Sequence, residues 1–151
     1  RYPDGTTDNQ LALLARIGVV RRSGATVPAD LPRFPEPTAQ GPAEPAAKAY
    51  LHANCSFCHR PGGTGRGPAD FRFGTPLASM GICNAAPTAG DLGIPGARLF
   101  APGDSDLSLV HQRMLATDTA RMPPLASSVV DGAGAAVVAR WIDSNGACPP
   151  R

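Results

Sequence analysis

The chain lacks any hydrophobic run approaching the roughly eighteen residues that a helical membrane span requires, so no such span is expected and the chain should be soluble. It also lacks blocks of one charge. Its 14 basic and 12 acidic residues are scattered and sum to a formal net charge of +2, which excludes the basic stripe of a nucleic-acid surface. There is no GxxxxGK[ST] phosphate loop. No initiator Met, basic n-region or apolar h-region opens the chain, which begins Arg1-Tyr2-Pro3-Asp4. The expectation is a mature or processed product, or the C-terminal part of a longer one. What is plentiful is punctuation: 17 Gly and 17 Pro in 151 residues argue for long irregular loops and against a large sheet or bundle. One modest domain with an extension fits this length, and its small core needs apolar area from another source.

Cysteine is scarce, and its placement is informative. Of four cysteines, two stand in Cys55-Ser56-Phe57-Cys58-His59. In a CxxCH pentapeptide two thiols can add across the vinyl groups of a haem while the adjoining imidazole reaches the iron, the signature of covalent c-type haem attachment. If the segment is helical, positions 55, 58 and 59 share a face, because residues three and four apart are neighbours on a helix. Other readings of a CxxC pair are a thioredoxin-like redox motif, which wants a βαβ context not visible here, and a zinc site, which wants a second pair of ligands. A plain disulfide or buried thiols are the remaining readings.

Cys83 and Cys148 are left over. An even remainder in a chain whose haem must be attached outside the cytoplasm reads as one disulfide, worth roughly 4 kcal/mol on the loop-entropy estimate. The other reading is two reduced, buried thiols.

Taken in order, the chain opens with a short amphipathic helix of about ten residues. Thr7 or Asp8 is expected to cap it, Leu11, Leu14 and Ile17 to form its apolar face, and Gly18 to stop it. Alone it would be marginal and must dock on something. Prolines at 28, 32, 35, 37, 42 and 45 then make an extended strap, expected to touch down at Val27, Leu31 and Phe34. A helix should begin near Ala43-Glu44-Pro45, with Pro and Glu suiting its first turn, and run straight into the CxxCH. His52 reads as a partly exposed helix histidine; it sits on the same helix as the attachment turn and could not reach the opposite haem face from His59.

After His59 the glycine-rich stretch 60–68 suits close backbone packing around a haem edge, and residues 69–103, apolar without sustained period, look like loop cover for the cofactor. Asp104 or Ser105 should cap a further helix, with Leu107, Val110 and Met114 on one face and His111 beside it. Arg121-Met122-Pro123-Pro124-Leu125 follows, where two prolines forbid helix and stiffen the backbone. A sulfur on such a loop is well placed to approach iron from the face opposite His59, so Met122 is the expected second ligand, with Met80 and Met114 behind it; Met/His ligation raises the reduction potential. A last helix from about Asp131 to Ser144 carries Val137, Val138, Trp141 and Ile142, and Tyr50 and Trp141 are the bulky residues available for contact between the first and last helices of the haem region. Arg98, Arg113 and Arg121 are candidates to pair with haem propionates or simply to be solvated.

This order of helix into CxxCH, loop cover, helix, Met-Pro-Pro loop and final helix with a Trp resembles the class I cytochromes c from about residue 43 to the C-terminus. Within that class it is similar to haem domains at the C-terminal end of larger secreted bacterial proteins. The stretches that carry the likeness are 49–55, 60–63, 101–104 and 121–125, with 9–18 resembling the segment that joins such a domain to its upstream neighbour. The resemblance implies an all-α class I cytochrome c fold, with helices packed around one covalently bound haem and long Pro/Gly-rich loops. It implies an N-terminal extension over 1–42 and a cytochrome c domain over 43–151. Cys55 and Cys58 would form the thioethers of one haem c, and His59 and Met122 would be its axial ligands. The expected role is electron transfer in the bacterial periplasm or outside the cell, not enzymatic catalysis. Expected partners are redox proteins or a larger electron-transfer complex, through which the chain could reach a membrane; no nucleic acid is expected. The alternatives are a displaceable Met122 that opens the site to peroxide, NO or CO, and an electron-accepting module of a larger dehydrogenase. The loop containing Cys83 is longer than a minimal cytochrome requires.

Overall fold

In the computed structural model the described residues are 5, 7, 9–20, 34–36, 40–125 and 128–150. They belong to two compact units, Arg1–Arg33 and Phe34–Arg151. Among the described residues the regular structure is helical: four α-helices, one 3₁₀ turn at Leu77–Ser79, and two isolated parallel bridges. The helices are α1 (Gln10–Arg16), α2 (Ala43–Cys55), α3 (Leu109–Leu115) and α4 (Gly132–Asp143). No helix is long and apolar enough to cross a membrane among these residues.

In the first unit α1 is capped by Asn9 and not by Thr7, the other expected cap, Asp8, lying outside the described residues: the Asn9 Oδ1 accepts from the N–H groups of Leu11 at 3.0 Å and Ala12 at 3.2 Å. The cap lies one residue past the expected position because Asn serves the orphan amides as well as Asp does. Gly18, at φ +77°, follows the helix in the left-handed conformation that suits glycine at a C-terminus. Val27 and Leu31 of the strap lie outside the described residues.

In the second unit α2 starts where the Pro and Glu placed it. Glu44 is in the first turn and pairs with Lys48 at 3.7 Å, and the buried side of the helix is Ala46, Ala47, Ala49 and Leu51. Phe34 does touch down: its ring lies 4.8 Å from both the His52 and Phe73 rings. The α-helix ends at Cys55, short of the full motif, yet its carbonyl accepts from Cys58 N–H at 3.2 Å and His59 N–H at 2.9 Å. These bonds preserve an i+3/i+4 geometry through the CxxCH turn.

The Asp131 cap of α4 accepts from Gly134 N–H at 2.9 Å and also from the Tyr50 hydroxyl at 3.0 Å, so the end of α4 is bonded to α2. Tyr50 packs so closely on Gly134 that a Cβ there would collide with the ring. Trp141 makes its ring contact elsewhere, with Phe100 at 4.8 Å. α2 and α3 both pack on α4.

α3 departs from the sequence reading. It starts at Leu109 with Ser108 as cap, not near Asp104 or Ser105. The preceding residues are held extended, with Arg98 N–H donating to Leu107 O at 3.0 Å and Leu109 N–H to Arg98 O at 2.8 Å. Asp104 Oδ1 instead accepts from Leu107 N–H at 3.0 Å in a turn, and Ser105 donates to the Asp143 carboxylate.

The stretch 69–103, expected as loop cover, contributes to the core. Phe71, Leu77, Met80, Ile82 and Phe100 join Leu51, Val138, Trp141 and Ile142 in the central core. Cys83 and Cys148 are disulfide-bonded across a sequence separation of 65, tying the end of the chain to this core.

Candidate functional site

The end of α2, the glycine-rich loop after it, the 82–99 loops, α3 and the Met122 loop enclose a cavity of about 570 Å³. That lies within the range of about 300–1,000 Å³ found for cofactor and ligand sites. Leu51, Ile82, Leu99, Leu109 and Val110 give it apolar walls, and none of the described acidic residues lines it.

Cys55, Cys58, His59 and Met122 all line this one cavity, three from the attachment turn and one from the loop after α3. Met114 lines it too, whereas Met80 is fully buried in the core. His52 and His111 do not line it. His52 Nδ1 accepts from Phe73 N–H at 3.1 Å, and His111, 8% exposed, has Nδ1 3.1 Å from Ser105 O.

The two thiols are free, and burial, followed by the neighbouring Cys58, pushes Cys55 up to about 12. It is therefore a neutral thiol at physiological pH. Burial also lowers the His59 imidazole below its ordinary value, which favours the neutral ring that a metal can use. The ring sits edge-on to Phe71 at a centroid distance of 5.4 Å. Its Nδ1 is buried without a hydrogen-bond partner, under the Gly65 backbone, where an added Cβ would lie 2.6 Å from that nitrogen. Nε2 is the ring nitrogen that remains for a metal. The glycine-rich loop is thus folded over the imidazole, with Gly65 N–H donating to Cys58 O at 2.9 Å.

This donor set fits a haem c: two free thiols at CxxC spacing, an imidazole kept neutral by burial, a thioether from a second element and apolar walls. A zinc centre fits less well, because no group of three or more His, Cys, Asp or Glu gathers among the described residues.

Of the three candidate propionate partners, only Arg113 lines the cavity. Arg98 donates to the Ala97 carbonyl at 3.0 Å, and Arg121 to the Pro124 carbonyl at 3.1 Å. Arg66 and Thr88 line the cavity and were not singled out from the sequence. Arg66 had a signal, being a cation within the loop that follows the CxxCH; Thr88 had none. Phe73, expected as cofactor cover, lies instead against Phe34, with Lys48 Nζ 5.9 Å from its centroid. Comparison of the chain with protein-family models, with curated proteins and with solved structures returns no match.

Proposed function

We propose that this chain is a monohaem cytochrome of the class I type that carries single electrons outside the cytoplasm. The observation that carries the reading is the meeting of Cys55, Cys58, His59 and Met122 on one cavity wall system, although Met122 is distant from the other three in sequence. Cys55 and Cys58 would carry the thioether links, and His59 Nε2 and the Met122 sulfur the axial positions. When bound, the haem supplies the one-electron Fe(II)/Fe(III) couple.

The chain's own part is to hold and to dry the site. Leu51, Ile82, Leu99, Leu109 and Val110 exclude water, and Gly65 and Phe71 fix the imidazole plane. With His59 and Met122 both holding the group, the role would call for no acid, base or nucleophile. The Cys83–Cys148 disulfide suits an oxidising compartment such as the bacterial periplasm or the extracellular space. Redox proteins, or a larger complex reached through residues 1–42, are the partners this role implies.

The visible spectrum of the matured protein tests the reading. Sharp reduced α and β bands, a weak far-red sulfur-to-iron band and no response to CO are expected. Met122→Ala should abolish the far-red band, while Met80→Ala and Met114→Ala retain it. A high-spin spectrum that binds CO readily would replace this reading with open-site chemistry, and absence of haem absorbance would overturn it.

A further inference from the structure

Arg113 is the half-buried cation of the cavity, and it has no carboxylate partner there among the described residues. Its guanidinium instead spends its donors on main-chain carbonyls: Nη1 to Ala120 O at 3.1 Å, and Nη2 to Ala89 O at 2.8 Å and Gly90 O at 3.1 Å. Its own carbonyl, in the last turn of α3 where helical partners run out, accepts from Met122 N–H at 2.8 Å. One residue therefore bonds the segment carrying Met122 twice and the 89–90 loop twice, and both segments line the cavity.

We infer that Arg113 is a positioning residue for Met122, bracing the ligand loop against α3 and the 89–90 loop so that the sulfur is retained on the metal. This rests on the haem reading above. A planar guanidinium suits the task because its fixed fork reaches acceptors on two loops at once, which the point charge of Lys cannot. Charge-assisted bonds to neutral carbonyls are the stronger kind. Because the Met122 N–H bond goes to the Arg113 main chain, it survives any side-chain change. The signature of losing the side chain is thus a ligand that is still bound but more easily displaced.

The test uses the matured, haem-loaded full chain and imidazole as the competing ligand. Unsubstituted protein, Arg113→Gln, Arg113→Lys and Arg98→Gln are titrated in the ferric state, following loss of the far-red band, with thermal unfolding measured alongside. Arg98 is the comparator because it also bonds main-chain carbonyls, those of Gly96 and Ala97, but does not line the cavity. Arg113→Gln should keep the far-red band without imidazole yet bind imidazole about tenfold more tightly, the effect of one lost charge-assisted bond. Arg113→Lys should fall between Gln and the unsubstituted protein, and it carries the test if Gln does not fold. Arg98→Gln should leave imidazole affinity unchanged. Unchanged affinity in both Arg113 variants would overturn the assignment, as would an equal gain in Arg98→Gln, which would make the effect one of general stability. A missing far-red band in the unsubstituted protein would overturn the Met122 ligation itself, and is read before any variant is made.

Discussion

Gly65 governs where the His59 imidazole can sit. A Cβ at this position would lie 2.6 Å from His59 Nδ1 and 2.9 Å from the Cys58 carbonyl, so ring and backbone would both have to give. Gly65→Ala is expected to cost about 1–3 kcal/mol, as overpacking does. The matured protein should unfold at lower temperature and show a perturbed haem spectrum, and an unchanged spectrum and midpoint would refute the close approach. Asp70 is the residue that ties stability to pH. It is 7% exposed, and hydrogen bonds from Arg72, one at 2.7 Å, hold its carboxyl at about 2. A folded value below the unfolded value of about 4 means a contribution present above that pH and lost as pH falls toward about 2. Asp70→Asn should therefore unfold more easily at neutral pH and show a smaller further loss on acidification. Thermal midpoints across that window check it: parallel curves for the two proteins would exclude the pair as the source.

Between elements, the contact that matters most to the site is α2 against α4, because α2 ends at the attachment turn. It is built from Tyr50 lying on Gly134 and reaching the Asp131 cap. Burial first, then the bond to Asp131, raises the Tyr50 phenol above its ordinary value, while the Gly134 N–H and the Tyr50 hydroxyl lower Asp131. Both shifts describe a neutral phenol donating to a carboxylate at physiological pH. In Gly134→Ala the new methyl would meet the Tyr50 ring, and the helix pair must separate. A loss of about 1–3 kcal/mol in denaturant unfolding is expected, although Ala is intrinsically the better helix former by about 1 kcal/mol. A stabilised Gly134→Ala would show that propensity outweighs packing here and that the ring moves aside freely.

At the scale of the whole molecule, the Cys83–Cys148 bond closes the second unit. It spans a separation of 65 residues and anchors the end of the chain beside Ile82, a wall of the cavity. Its loss removes a restraint on the unfolded chain worth roughly 4 kcal/mol. Cys148→Ser should lower the unfolding free energy by about that amount and make it insensitive to reductant. In a haem-loaded protein with thioethers at Cys55 and Cys58, and with the iron kept ferrous in both arms, reductant acts on this bond alone. An unfolding curve identical with and without reductant would contradict the pairing.

What the sequence by itself determined lies where the signal is local. The start of α2 follows from Pro and Glu in a first turn and the start of α4 from the Asp131 cap; each is settled within a few residues of the position concerned. The disulfide followed from cysteine arithmetic. Tertiary structure alone decided the rest. The strand-like pairing of Arg98 with residues 107–109 delayed the start of α3, because the Leu109 and Val110 amides bond to the distant carbonyls of Arg98 and Leu99 and not to those one helical turn back. Packing sent Met80 into the core and brought Met114 to the cavity beside Met122, which the Met-Pro-Pro stretch had already singled out. It also turned Arg113 to loop carbonyls and Phe73 to Phe34. In irregular loops a side chain's direction is set by which distant surface it meets, and that information exists only once the chain has closed on itself.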